Sequence, residues 1–183
     1  MRIKEGQVNH LANRVAIELL RSGLAKLNEG VEAAAAVAAS QIQASIELER
    51  ALDAKTNEVL DEQDEQMQFM QVDRRSMFWL VKKGLAEDFG YKINAEDRYN
   101  DLAHKILSAL QEQDLISFTV SVNRVKNTIY KAIDSVLKSY LDMDALVMEK
   151  ISNYKREIVI GSEEFDIVYA KLFDEELSRR GMA

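Results

Sequence analysis

The 183-residue sequence contains no proline and no cysteine, only seven glycines and one tryptophan, and no long apolar run. An average composition would supply about nine prolines at this length. Their absence removes the commonest helix breaker and favours helices joined by short connections. Without cysteine there is no disulfide framework and no thiolate metal or redox site, which suits a reducing compartment. No stretch approaches the ~18 charge-free apolar residues of a membrane span, and MRIKEGQVNHLANR has no apolar core of a signal peptide, so the chain reads as soluble and cytoplasmic. A basic half is also missing: residues 1–91 hold 11 basic and 15 acidic side chains and residues 92–183 hold 13 and 16, for a net charge of −7. That balance disfavours a nucleic-acid surface driven by bulk electrostatics. Length is no obstacle, since a chain of this size buries roughly 70% of its unfolded surface.

What is present is helical periodicity. Leu11, Val15 and Leu19 recur at i, i+4 beside Ala12, Ala16 and Leu20, which predicts a helix from Val8 to Ser22, ended by Gly23 in a left-handed C′ position with Leu24 folding back. A long helix is expected from Val31 to about Leu60. Its VEAAAAVAAS opening combines helix propensity with close approach of a neighbour. Asp61, Glu62, Asp64 and Glu65 then crowd a helix C-terminus, where the macrodipole disfavours them, so fraying is expected there. Asp73 caps a helix carrying Met77, Phe78, Leu80, Val81 and Leu85 and closed by Gly90, and Asn94 caps one carrying Leu102, Ala103, Ile106, Leu107 and Leu110. In the second long helix Val122, Val125, Ile129, Ile133, Val136 and Tyr140 form a narrow stripe suited to a partner helix. Asp142 or Asp144 is expected to kink or re-cap it before a stretch from Ala145 to Tyr154. REIVIG is the one place where an extended segment is expected. Ser162 caps the last helix, with Glu163 and Glu164 in its first turn, a buried stripe of Phe165, Val168, Tyr169 and Leu172, and an Arg179-Arg180-Gly181 ending.

Residues 10–25 laid over 101–116 match Leu11 with Leu102, Ala12 with Ala103, Leu19 with Leu110 and Leu24 with Leu115, an offset of 91. The order of elements that follows repeats as well. This predicts a tandem duplication, with a first helical unit over 1–91 and a signature-bearing second unit over 92–183. The expected fold is all-α: an elongated antiparallel helical bundle of two related units of about three helices each.

The chemistry-bearing residues are few. His10 and His104 do not occupy equivalent repeat positions, so surface or helix-end histidines are favoured over a ligand or base. Glu58, Asp61, Glu62, Asp64 and Glu65 have neither the glycine nor the terminal glutamate of a calcium loop, and a solvated acidic turn is favoured. Asp174, Glu175 and Glu176 before Arg179 and Arg180 offer ordinary helical ion pairs. There is no Gly-rich phosphate loop, nucleophile elbow or zinc spacing, so neither catalysis nor a cofactor is expected. Two basic groups stand out as candidate partner contacts, although ordinary surface ion pairing is the favoured reading. Arg74 and Arg75 lie in a first helical turn, where the dipole disfavours cations, and Lys150, Tyr154, Lys155 and Arg156 flank REIVIG.

Three stretches, HLANRVAIELLRSGL, MQVDRRSMFWLVKKGLAEDFG and KISNYKREIVIGSEEFDIVYAKLFDEELSRRG, resemble the uncharacterised bacterial family catalogued as domain of unknown function 507. The resemblance spans essentially the whole chain and implies a helical bacterial protein. Some members look like one unit of about half this length, which makes this chain a double-unit member. It brings no catalytic or ligand-binding residue. The first unit has DRRSMF where the second has GSEEFD and lacks the RRG ending, which assigns any binding by the signature to the second unit.

Two functional classes follow. The leading one is a non-enzymatic scaffold or adaptor that binds a protein partner or a second copy of itself. The alternative is an RNA- or DNA-associated factor using Arg74, Arg75, Lys82 and Lys83 as a basic edge. A carboxylate metalloenzyme using the acidic run ranks last.

Overall fold

A computed structural model describes residues 2–154, 156 and 158–182. Helices dominate. A 3₁₀ turn over Glu5–Gln7 leads into α1 (Val8–Ser22), followed by strand β1 (Lys26–Leu27), α2 (Gly30–Glu62), α3 (Asp64–Phe69), α4 (Arg74–Leu85), α5 (Ala95–Glu112), strand β2 (Ile116–Ser117), α6 (Val122–Ser152) and α7 (Glu163–Arg179). The fold is an all-α helical bundle with one two-stranded ribbon.

The helix limits follow from local chemistry. Asp73 accepts from the Ser76 amide at 2.9 Å, Asn94 from the Glu96 amide at 2.8 Å, and Ser162 from the Phe165 amide at 3.1 Å, so each expected N-cap satisfies an orphan donor. At the other ends, Gly23, Gly90 and Gly181 take left-handed φ values of 64°, 63° and 64°. The amides of Leu115, Tyr91 and Met182 reach back five residues to Leu110, Ala86 and Leu177, the closing bond of a Schellman motif.

Packing falls into two compact units, Met1–Ile133 and Asp134–Ala183, with α6 contributing to both. In the first, α2 packs on α1, α4 and α5. Leu11, Val15, Leu19, Ile42, Ile106, Leu110, Val125, Ile129 and Ile133 are fully buried there, each stabilising the fold by ~1.5–3 kcal/mol. Buried Ala34 and Ala38 leave room for close helix approach. In the second unit, Val147, Ile151 and Ile158 form a small core covered by half-buried Phe165, Val168, Tyr169, Leu172 and Phe173. The division by packing falls elsewhere than residue 91, where the sequence predicts a repeat boundary, because α5 docks against α2.

Three expectations are corrected. The ribbon is made by β1 and β2, antiparallel with Lys26 opposite Ser117 and Leu27 opposite Ile116, rather than by REIVIG. Hydrogen bonds between the segments that follow α1 and α5 extend this pairing; the Asn28 amide donates to the Leu115 carbonyl at 2.9 Å, and its side-chain amide to that of Asp114 at 2.6 Å. The described part of REIVIG instead turns, with Ser162 Oγ donating to the Val159 carbonyl at 2.7 Å. Helix α6 runs unbroken through Asp142 and Asp144. No proline or glycine interrupts it there, and the Asp144 carboxylate accepts the Tyr169 hydroxyl instead of competing for backbone. On α4 the apolar stripe is displaced: Leu80 is 65% exposed, and Lys82 takes the buried place.

Candidate functional site

The basic group around REIVIG belongs wholly to the second unit. Lys150, in the last turn of α6, donates to Glu176 Oε1 at 2.5 Å, and Arg179 and Arg180 approach the other oxygen at 3.0 and 3.9 Å. Glu176 is 1% exposed. The hydrogen bond from Lys150 holds its carboxyl below the ordinary glutamate range; burial opposes this, and the two arginines reinforce it. Lys150 is therefore the neutraliser of a buried anion, and what read as surface ion pairing is a knot of three cations on one carboxylate. Arg156 pairs with Glu164 in the first turn of α7. Lys155 lies outside the described residues.

With those charges matched, apolar surface is what the region presents. Tyr154, Arg156 and Ile160 border a groove of about 340 Å³ lined by Met148, Ile151, Ile158 and Phe165. Beside it Val159 is 65% exposed and Ile160 73%. Both lie within residues 150–161, the stretch that the sequence marks as a candidate contact surface, but neither is singled out there, because an Ile-Val-Ile run suggests a strand and only the turn after α6 leaves it uncovered. The aromatic residues of α7 line a stack: Phe165 to Tyr169 at 5.9 Å, Tyr169 to Phe173 at 5.6 Å, and Phe173 to Tyr140 of α6 at 6.4 Å. Burial and then the Asp144 carboxylate push the Tyr169 hydroxyl pKa upward.

In the first unit the four cations proposed as a basic edge do not form one exposed edge. Arg74 turns onto Asp61 at 2.6 Å and Asp64 at 3.7 Å, so the acidic turn supplies its anionic partner. Arg75 and Lys83 are exposed. Lys82, by contrast, is 1% exposed, with Nζ 2.6 Å from Asp53 and 3.4 Å from Glu49. The rings of Tyr91, Trp79 and Phe78 surround the ammonium at 5.3, 5.6 and 6.0 Å. Above the same carboxylates Arg2 lies 2.8 Å from Glu49 and 2.7 Å from Asp53. Burial, then a hydrogen bond to Glu49, pushes the Tyr91 hydroxyl pKa upward. Arg2, Glu49 and Asp53 were not singled out from the sequence. The available signals were Glu49 and Asp53 at i, i+4, and Lys82 on the same helical face as Phe78 and Leu85.

Among the remaining candidates, His10 is held below the usual histidine range by burial and by Arg14, and His104 is exposed. Among the described residues no group of three or more acidic or histidine side chains is arranged to hold a metal ion, and no helix is long and apolar enough to cross a membrane. Residues 1–182 match the model of a family described as Protein of unknown function (DUF507). A search of curated proteins finds no match.

Proposed function

The chain belongs to the DUF507 family, and we propose that it acts as a non-enzymatic helical interaction module, a scaffold or adaptor for a protein partner. The observation that carries this reading is the apolar groove of the second unit with Val159 and Ile160 exposed at its edge. Exposed apolar residues grouped around a concavity favour burial by a partner, whereas singly scattered ones carry no such meaning. Tyr154 gives the rim an amphipathic anchor of the kind that interfaces concentrate. The cysteine-free sequence supports a cytoplasmic setting. A photo-crosslinking residue at Tyr154 in native cells should give one adduct of defined mass, and none when placed at exposed Lys131. Changing Val159 and Ile160 to glutamate should abolish the adduct while leaving the helical signal intact. No adduct at Tyr154 would count against the reading.

The same reading treats the halves 1–91 and 92–183 as tandem related units. Left-handed residues recur at nearly constant spacing: Gly23 with Asp114, Gln71 with Gly161, and Gly90 with Gly181. Buried Met67 corresponds to Ile158, and exposed Phe69 to Ile160. The second unit's groove is apolar, while its counterpart in the first carries Asp61 and Arg74 as an ion pair. That divergence assigns the apolar contact to the second unit.

A further inference from the structure

The first unit holds a second, chemically different site. Glu49 and Asp53 lie one turn apart on α2 and point at a common cation, the Arg2 guanidinium, whose Nε and Nη2 reach them at 2.8 and 2.7 Å. We propose that these carboxylates, with Trp79 and Tyr91, form a seat for a guanidinium group that Arg2 fills in cis, and that an arginine side chain of a protein partner takes the seat by displacing Arg2. This inference stands apart from the apolar groove and does not rest on it.

Four observations carry it. First, Lys82 keeps the seat assembled without Arg2: it is buried and touches both carboxylates from below. Second, when Arg2 departs, Glu49 and Asp53 lose one of the two cations that pair with them, Arg2 and Lys82, which favours a replacement cation. Two acceptors on adjacent turns suit the fork of an arginine better than the point charge of a lysine.

Third, Arg2 is held from the solvent side. Its side chain is 51% exposed, and it is carried by residues outside any helix or strand, so exchange does not unpack the core. A space of about 220 Å³ adjoins it, lined by Trp79, Tyr91, Ile93 and Ala95, with room for the stem of an incoming side chain. Arg98 lines that space as well, donating to the carbonyls of Lys92 and Ile93 at 3.1 Å and lying over the rings of Tyr91 and Tyr99.

Fourth, the chain contains its own comparison. Ninety-one residues after Glu49, Asp53 and Lys82 stand Tyr140, Asp144 and Phe173, where Tyr140 stacks on Phe173. Stacked rings therefore satisfy the packing of a long helix against a short one at these positions. A buried ion cluster is no more stable than well-packed apolar groups in general, so packing alone does not account for the charges of the first unit.

Trp79 is the only tryptophan and lies 5.6 Å from the Lys82 ammonium, which makes its fluorescence a reporter of the seat. The full chain and its Arg2→Ala variant are titrated with N-acetyl-argininamide at constant ionic strength, with N-acetyl-lysinamide as the comparison cation. Removing the tethered competitor should let the arginine probe saturate the variant at concentrations at least about tenfold lower than the wild type. The lysine probe should need several-fold more, and adding Glu49→Gln and Asp53→Asn should abolish saturation. If a folded Arg2→Ala variant gives no saturable change, responds equally to both cations, or still saturates without the two carboxylates, the proposal is wrong. Should Arg2→Ala lose helical signal, its recovery on adding the arginine probe supports the seat, and failure to recover overturns it.

Discussion

Lys82 and Phe173 stand 91 residues apart in the sequence, and one is a buried ammonium whereas the other is a stacked ring. Truncating Lys82 to alanine removes the buried partner of Glu49 and Asp53 and leaves them only the half-exposed Arg2, so we expect Lys82→Ala to lose about 3–5 kcal/mol in urea denaturation. The triple variant Glu49→Tyr, Phe78→Tyr, Lys82→Phe transplants the Tyr140, Tyr169 and Phe173 set and leaves Asp53 to accept from the new tyrosine as Asp144 does. It should recover most of that loss. Glu176 makes a pH prediction. Its folded pKa lies below the ordinary 4.5 because Lys150 donates to it, so the folded state binds fewer protons there than the unfolded one. The stability from this group is complete above that ordinary value and is lost as pH falls through the folded pKa. The stability difference between wild type and Glu176→Gln should therefore narrow from about pH 6 to about pH 3.

Elements were set mainly by their ends. Ser162→Ala removes the acceptor of the Phe165 amide and should cost about 1 kcal/mol in chemical denaturation. Asp114 holds φ 54°, a left-handed value close to the 64° of Gly23. Asn28 bonds to the Asp114 main-chain carbonyl and not to its side chain, so Asp114→Gly keeps that contact while relieving left-handed strain. We expect a gain of several tenths to about 1 kcal/mol in thermal or urea unfolding. The caps were legible because a side chain three residues from the amide it serves is a local event. The REIVIG turn and the unbroken α6 were not, because Ile158 and Asp144 find their partners on α7.

At the scale of the whole molecule, the two compact units differ in how deeply their helices are buried. Helices α1 and α5 carry side chains with no exposed area, such as Leu11, Leu19, Ile106 and Leu110, whereas the apolar face of α7 is only half-buried. Native-state hydrogen exchange should find the α7 amides opening at lower free energy than those of α1 and α5; equal protection would contradict this.

By itself the sequence determined the helical class, the positions of Asp73, Asn94 and Ser162 as caps, and the buried faces of α1 and α5. Those depend on periodicity and on contacts within one turn. Only the tertiary structure decided that Lys26 and Ile116 belong to paired strands, that Lys82 and Glu176 are interior charges, and that Arg74 and Lys150 have partners within the chain. Each of these joins residues between 10 and 91 positions apart. A charged side chain looks alike in sequence whether water or a carboxylate on another helix neutralises it, and only proximity in space distinguishes the two.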